Sequence, residues 1–402
     1  MAHLSGRVAS MQASPIRKLT PLSDAAEKRG TKVYHLNIGQ PDIPTPQNYW
    51  QAIRESEPRV LAYGPSQGLA VLRKAISGYY ERAGIKVPED RVMITTGGSE
   101  AVYFAFMAAC SHGDEVVCFE PFYTNYNGFA SMAGITLVPV TSSVENGFHL
   151  PSREAIEAVI TPRTKAILIC SPNNPTGTVL GSEEIGILSD IVRKYDLFLL
   201  SDEVYRDFVF DGGKHVSVLE FPGIADRVIV MDSISKRFSS CGARLGNLIC
   251  LNTDVMGGIL KLGQARLCPP TMAQYGAAWI YEHLGASYYH DVALTYQRRR
   301  DLLMQELEGV PGVFFLRPEG AFYATIRVPV DSADGFAAWL LNDFSVDGAT
   351  VMVSPAAGFY ATPGMGEDEI RLAYVINDDD MRKALGILKQ GLREYPGMVA
   401  GH

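Results

Sequence analysis

Polar side chains that could act together on one small molecule follow three successive apolar runs in the middle of the chain. In an open α/β sheet the carboxyl ends of parallel strands meet at one edge, where ligands bind, so these side chains are expected to face a single cleft. They suit a ligand that carries a ring nitrogen, a phenolic oxygen, an aldehyde and a phosphate. The runs are Ala166–Cys170, Leu197–Leu200 and Val228–Met231, and the side chains are Asn174, Asp202, Tyr205, Lys236 and Arg244.

Lys236 is the residue that restricts the chemistry most. An ε-amine can condense with an aldehyde, exchange that bond for a substrate amine and, once free, carry a proton. Pyridoxal 5′-phosphate (PLP) carries the aldehyde, ring nitrogen, phenolic oxygen and phosphate that these side chains fit. The sequence therefore predicts PLP as the cofactor and Lys236 as the catalytic amine, with a solvent-exposed surface lysine as the alternative.

Asp202 closes an apolar run, and a buried carboxylate needs a cation or hydrogen-bond donors. A protonated ring nitrogen would supply that cation and would remain protonated beside it, which makes the ring an electron sink. The alternative is a helix N-cap, because aspartate is favoured there. Arg371 lies in the strand pattern Ile370–Val375, either as a two-pronged carboxylate ligand or on the polar face of the strand.

Three motifs occur in a fixed order. They are Asn173-Asn174-Pro175-Thr176-Gly177, then Asp202-x-x-Tyr205, then Ser233-x-Ser235-Lys236 with Arg244 eight residues after the lysine. With these motifs the chain resembles the fold type I PLP-dependent aminotransferases of class I/II, the aspartate aminotransferase-like group. The likeness extends from Asn37 to Arg371.

The resemblance implies a role for each matched position. Asn174 and Tyr205 donate to the phenolic oxygen, Asn174 also contacts the substrate carboxylate, and Tyr123 stacks on the ring. Arg371 binds the substrate α-carboxylate, with Gly39 opposite. Tyr63 is implied to reach the phosphate of the partner subunit, so a homodimer with shared active sites is expected. The phosphate site is implied to comprise Gly98, Ser99 and Glu100, at a helix start whose free N–H groups favour an anion, together with Arg244; Ser233 is a further cofactor-binding residue.

Two departures from the family pattern concern packing and specificity. Cys241-Gly242-Ala243 stands before Arg244, where many members have Gly-Trp. Arg266 and Lys261 lie near the region of the arginine that binds the distal carboxylate in dicarboxylate-specific members, but neither aligns with it. The amino donor is therefore left open, with aspartate favoured and alanine, branched or aromatic amino acids as alternatives.

Short apolar runs alternate with amphipathic stretches, which indicates parallel strands joined by helices. We predict an α/β fold whose large domain has a mostly parallel seven-stranded sheet sandwiched by helices. The predicted strands are Val92–Thr95, Glu115–Phe119, Thr136–Val140, Ala166–Cys170, Leu197–Ser201, Val228–Asp232 and Asn247–Leu251.

A smaller α+β domain is predicted from both chain ends. Residues 47–285 form the predicted large domain, and residues 1–46 with 286–402 form the small one, which in the family closes over substrate. The small domain is predicted to contain a strand at Val33–Ile38, a long helical stretch after Pro270, and strands at Val313–Leu316, Ala321–Val328 and Ile370–Val375.

Composition excludes several classes of protein. The chain has 402 residues, 47% of them hydrophobic, and a net charge of −8, which disfavours a nucleic-acid surface. No apolar run reaches the ~18 residues that span a bilayer, and the first residues do not resemble a signal peptide. The six cysteines form no CxxC pair, so buried free thiols in the cytoplasm are expected, without a metal site.

Rival interpretations differ in chemistry. Gly64-Pro65-Ser66-Gln67-Gly68 matches the nucleophile elbow of serine hydrolases, with Ser66 as nucleophile, but that elbow needs a buried strand before it. A PLP lyase or cyclase of the same fold, or a regulatory protein that keeps the fold, are further alternatives. The favoured interpretation is ping-pong transamination between an L-amino acid and a 2-oxo acid such as 2-oxoglutarate.

Overall fold

The structure is a computed structural model, and it describes residues 3–9, 11–12 and 14–399. The strands in chain order are β1 Lys32–His35, β2 Val92–Thr95, β3 Glu115–Glu120, β4 Thr136–Thr141, β5 Thr164–Cys170, β6 Phe198–Asp202, β7 Val228–Ser233, β8 Gly246–Ile249, β9 Tyr323–Arg327, β10 Ala349–Met352, β11 Ser354–Pro355 and β12 Glu369–Ala373. The helices are α1 Gly6–Ala9, α2 Thr20–Lys28, α3 Gln47–Glu55, α4 Ala70–Arg82, α5 Gly97–Ala109, α6 Asn125–Ala133, α7 Arg153–Ala158, α8 Ser182–Lys194, α9 Ile234–Arg237, α10 Thr253–Arg266, α11 Thr271–His283, α12 Ala286–Leu307, α13 Ala333–Asn342 and α14 Asp378–Glu394.

Seven strands form one large sheet in the order β2-β8-β7-β6-β5-β3-β4. Successive residues of its strands enter two different hydrophobic clusters, as Ile167 and Leu168 do in β5. Both faces are therefore covered, which explains why these runs are apolar throughout rather than alternating. The predicted seven-stranded α/β sheet is confirmed.

One strand runs against the others. β8 pairs antiparallel with both β2 and β7, whereas the remaining pairs are parallel. Only residues 234–245 connect β7 to β8, and they hold just the four-residue α9 and one 3₁₀ turn. A parallel return is usually made through a helix that runs back along the sheet, and this connection contains no helix of that length, so the chain reverses instead.

The carboxyl ends of β5, β6 and β7 lie side by side. Cys170 is in register with Asp202, and Asp202 is in register with Met231. The segments that follow these strands therefore leave the sheet at one edge, as the motifs predicted.

Two small sheets complete a two-domain layout. β1 pairs parallel with β10, and β12 lies between β11 and β9 in an antiparallel sheet. Both pack into a cluster that includes residues of α12, α13 and α14. The domain boundaries at residues 46/47 and 285/286 stay predictions; α3 begins at Gln47 and α12 at Ala286.

The smaller elements include two wrong predictions. Val313–Leu316 is not a strand, because it contributes only an isolated bridge between Phe314 and Arg327. The helical stretch after Pro270 is two helices, α11 and α12, separated at Leu284 and Gly285. β10 and β11 were not predicted from the sequence.

Two further observations bear on the environment of the chain. No helix in the described part of the chain is long and apolar enough to cross a bilayer. All six cysteines are free; Cys118, Cys170 and Cys250 are buried, and the other three are partly buried.

Candidate active site

A cavity of about 650 Å³ opens at the edge of the large sheet where β5, β6 and β7 end. Its wall includes side chains from the large sheet, from the small sheets and from the N-terminal segment. Of the thirteen residues predicted for the site, eleven line the cavity: Gly39, Gly98, Ser99, Tyr123, Asn174, Asp202, Tyr205, Ser233, Lys236, Arg244 and Arg371.

Lys236 projects from α9, which starts directly after β7. Ser233 caps this short helix, because its Oγ accepts a hydrogen bond from the N–H of Ser235 at 3.1 Å. The Lys236 Nζ donates to the carbonyl oxygen of Gly39 at 2.6 Å. The amine is thus held inside the cavity between the large sheet and the loop after β1, and the surface-lysine alternative is wrong.

Asp202 ends β6 and is 9% exposed. Its Oδ2 accepts a hydrogen bond from the Tyr126 hydroxyl at 2.7 Å, and its Oδ1 accepts from the N–H of Val204 at 3.3 Å. Burial raises the pKa of Asp202 to about 6, and these hydrogen bonds oppose that rise. No helix begins at Asp202, so the N-cap alternative is wrong; the carboxylate braces a turn and faces the cavity.

An anion cradle lies where α5 begins. Gly98 and Ser99 belong to the first turn of α5, whose free N–H groups attract negative charge. Arg244 lies against Gly97, where a Cβ atom would overlap its guanidinium, and its Nη1 donates to the Cys241 carbonyl at 2.9 Å. A phosphate suits this combination of a helix start and an arginine.

Glu100 does not face this cradle with its side chain. Its carboxylate accepts from the N–H of Thr96 at 2.8 Å and pairs with Arg266 at 3.3 Å. Arg266 also donates to the carbonyls of Ile94 and Ser66. Since these contacts engage both side chains outside the cavity wall, neither is placed to bind a ligand in the cavity.

Arg371 lies in β12 and is 1% exposed, so the polar-face alternative is wrong. Its Nη1 donates to Asn174 Oδ1 at 3.1 Å and its Nη2 donates to the Asn37 carbonyl. Its Nε has no hydrogen-bond partner, and no described carboxylate pairs with its guanidinium. Burial lowers the pKa of Arg371, because the charged form loses hydration there. A buried guanidinium without an anion is costly, so the site calls for an anionic ligand.

Aromatic residues line the space between Arg371 and Asp202. The Tyr205 and Tyr323 hydroxyls are 3.0 Å apart, and the Arg371 guanidinium lies 4.7 Å from the centre of the Tyr323 ring. Gly39 has no room for a side chain, since a Cβ atom would overlap the Tyr323 hydroxyl. Burial raises the pKa of Tyr123 to about 12, which keeps its hydroxyl protonated.

Tyr126, Tyr323 and Arg17 also line the cavity but were not predicted from the sequence. Tyr126 follows Tyr123 by three residues at the start of α6, and that spacing was the available signal for it. Tyr323 stands in an apolar strand pattern, where nothing in the sequence distinguishes a cavity tyrosine from a core tyrosine.

Tyr63 and Ser66 also lie away from the cavity. Tyr63 is 82% exposed on the loop before α4, in a stretch that also exposes Val60 and Leu61. Its contact with a partner subunit stays a prediction. Ser66 lies on the same loop and no strand precedes it, so the nucleophile-elbow alternative is wrong.

The family model described as aminotransferase class I and II matches residues 31–388. This chain belongs to the class I and II aminotransferases. An aromatic-amino-acid aminotransferase 2 from Thermococcus litoralis is 31% identical over 97% of this chain and 98% of its own length. An aspartate/prephenate aminotransferase from Thermus thermophilus is 30% identical over 96% and 97% of the two chains. The solved structure of aspartate aminotransferase from Thermus thermophilus with maleate superposes with a TM-score of 0.88 at 28% identity, covering 97% and 100% of the chains. These relatives have the type I fold.

Members of this family use PLP, and the cavity fits that cofactor on three counts. Asp202 is a buried carboxylate without a described cation, which a protonated ring nitrogen would supply. Arg244 and the start of α5 suit its phosphate, and Lys236 presents its amine in the same cavity. The relatives differ in substrate, so kinship with them leaves the amino donor of this enzyme open.

Proposed function

We propose that this aminotransferase uses PLP to transfer the amino group of an L-amino acid, with aspartate favoured, to a 2-oxo acid such as 2-oxoglutarate. The observation that carries the proposal is Arg371, a buried guanidinium with an unpaired Nε in the same cavity as Lys236 and Asp202. Both substrate classes carry an α-carboxylate, which two parallel hydrogen bonds from a guanidinium recognise.

Each residue of the cavity has a role in this proposal. Bound PLP would supply the electron sink for cleavage of the bond between the substrate α-carbon and its proton. Lys236 takes and returns that proton. Asp202 keeps the ring nitrogen protonated, and Tyr126 orients Asp202 through its 2.7 Å hydrogen bond.

The remaining contacts position the cofactor and substrate. Asn174 and Tyr205 would donate to the phenolic oxygen, and Tyr123 would stack on the ring. Ser233 caps the short helix that carries Lys236, and Gly39 would lie beside the bound substrate. The first turn of α5, through Gly98, Ser99 and the Glu100 backbone, would hold the phosphate together with Arg244.

We propose a homodimer whose two chains share their active sites. Val60, Leu61 and Tyr63 are 71%, 64% and 82% exposed, and Leu267 adds a further exposed apolar side chain. Surface exposure of this kind, clustered along one loop, favours burial in a protein contact. In the dimer Tyr63 would reach the phosphate of the partner subunit. We further propose that residues 1–46 and 286–402 close over substrate bound to residues 47–285, and that the enzyme acts in the cytoplasm.

The direct test is a donor screen on protein loaded with PLP, with 2-oxoglutarate as acceptor and glutamate formation as readout. We expect at least one L-amino acid to give glutamate in an amount equal to its own 2-oxo acid product. A PLP lyase would release ammonia and would need no acceptor, so repeated turnover without an acceptor, beyond one equivalent of 2-oxo acid per active site, would refute transamination. Absence of any product from acidic, aromatic, branched and small donors would refute the proposal as well.

A further inference from the structure

The cavity carries more positive charge than its own residues neutralise. Four cationic side chains line it, Arg17, Lys236, Arg244 and Arg371, against one carboxylate, Asp202. Within the described part of the chain, none of the four forms an ion pair. Lys236 donates to a carbonyl oxygen, as does Arg244, and Arg371 donates to an amide oxygen and a carbonyl oxygen.

The proposed function uses three of these cations. Arg244 binds the cofactor phosphate, Arg371 binds the substrate α-carboxylate, and Lys236 exchanges protons with the substrate. Asp202 is matched by the protonated ring nitrogen. Arg17 is the one cation on the cavity wall for which the reaction, so described, provides no anion.

Arg17 is held at the cavity by contacts of the residues just before it. Asn127 Nδ2 of α6 donates to Gln12 Oε1 at 2.8 Å. Pro15 packs against Gly358, where a Cβ atom would overlap its ring. Ile16 packs against a small cluster that includes Phe359. Arg17 itself is exposed, and no described residue forms an ion pair with its guanidinium.

The same cluster connects Arg17 to the α-carboxylate site. The Phe359 ring lies 4.9 Å from the Arg371 guanidinium on one side, and the side chain of Ile16 packs against its cluster. The two arginines therefore reach the cavity from neighbouring parts of one wall, where a short molecule with a carboxylate at each end could contact both.

We propose that Arg17 binds the side-chain carboxylate of the substrate, so that the enzyme selects dicarboxylic amino acids and 2-oxo acids. This inference rests on the proposed function and adds the residue that sets the substrate class. Arg17 discriminates because a dicarboxylate gains a second charge-assisted hydrogen bond, whereas an aromatic or aliphatic side chain leaves the guanidinium without an anion.

The test compares aspartate with alanine in wild type and in Arg17→Gln. Loss of a hydrogen bond to a charged group corresponds to roughly a 10- to 100-fold effect, so the aspartate-to-alanine ratio of kcat/KM should fall by about that factor. Arg17→Lys should keep most of the ratio, because the charge is retained. Calorimetric titration with succinate and with propionate gives a readout that does not require turnover, and Arg17→Gln should lower the succinate-to-propionate affinity ratio by about tenfold or more.

Lys18 provides the matched control. It is the next residue, carries the same charge and pairs with Asp334 at 2.5 Å outside the cavity wall. Lys18→Gln should leave both ratios unchanged. An equal fall in Lys18→Gln would overturn the inference, since the effect would then come from net charge or from the segment as a whole.

The other outcomes separate the two proposals. A wild-type enzyme that transaminates alanine or phenylalanine but not aspartate refutes the role of Arg17 and leaves the proposed function standing. A wild-type protein that transaminates no donor refutes the proposed function, and the succinate and propionate titrations then decide on Arg17 alone. Unchanged ratios in Arg17→Gln refute the inference in every case.

Discussion

Replacement of Asp202 by asparagine should make the cofactor-free protein more stable at neutral pH while it removes activity. Burial raises the pKa of Asp202 from about 3.8 in an exposed carboxyl to about 6 in the fold. Between these values the native protein keeps a proton that the unfolded chain has released, so stability falls as the pH rises from about 4 to about 6. A difference of about two pKa units, at about 1.4 kcal/mol each, makes this loss about 3 kcal/mol above pH 6.

Asparagine has nearly the same shape, cannot ionise and can still accept from the Tyr126 hydroxyl. Asp202→Asn should therefore match the wild type near pH 4 and exceed it at pH 7 to 8 by up to about 3 kcal/mol. Urea unfolding of both cofactor-free proteins at pH 4, 5.5 and 7.5 measures the difference. The reasoning is wrong if the difference between the two proteins does not change across this range.

The effect of Asp202→Asn on stability should reverse when the cofactor is present. Saturating PLP should stabilise the wild type more than Asp202→Asn, because only the carboxylate gains a paired cation on binding. Loss of such a buried pair, worth about 3 kcal/mol, should reduce kcat/KM by about a hundredfold or more. A loss below about tenfold would show that Asp202 is not the partner of the ring nitrogen.

Three further predictions concern other parts of the molecule. Lys236→Ala should abolish transamination but still bind PLP non-covalently, as equilibrium dialysis would show; turnover above a few per cent of wild type would exclude Lys236 as the essential base. Mixing Tyr63→Ala with Lys236→Ala under subunit exchange should restore activity, at most one intact site per heterodimer; if mass spectrometry shows exchange without recovery, Tyr63 serves its own subunit. His149, whose pKa is raised to about 10 by Glu184 and Glu319, stabilises the fold fully below about pH 6.5 and loses that effect as the pH rises towards 10. His149→Gln should therefore reduce the fall in melting temperature between pH 6.5 and 10, and an unchanged fall would contradict this role.

The large sheet was accessible from the sequence because its strands are short, apolar and separated by helical patterns. β2 has the predicted limits, Val92–Thr95, and β5 extends its predicted run by only two residues. The direction of β8 was not accessible from its own residues, because Gly246–Ile249 is buried in the same way as a parallel strand. That direction depends on the segment after β7, which contains no crossover helix.

The sequence predicts a site residue when a local motif determines its position. It does not predict one whose role depends on a contact with a residue far away in the chain. Lys236 lies on α9 and Arg244 follows the next 3₁₀ turn, so both belong to the short segment directly after β7. Tyr126 acts on a carboxylate 76 residues further along the chain, and Tyr323 meets a hydroxyl 118 residues before it. An aromatic residue in an amphipathic or apolar pattern does not reveal which way its hydroxyl points, so packing alone decides its role.

Stability and function oppose each other at two buried charges of the cavity. Among the described residues Asp202 has no cation and Arg371 has no anion beside it, although an ion pair between them would have stabilised both. The fold instead commits the Arg371 Nη atoms to Asn174 and to the Asn37 carbonyl, which fixes the guanidinium and leaves its Nε unpaired. Both charges therefore remain unpaired in the ligand-free protein, which lowers its free energy of unfolding by several kcal/mol. Ligands that bring a ring cation and a carboxylate recover that cost, so the same arrangement that weakens the cofactor-free fold favours binding of both.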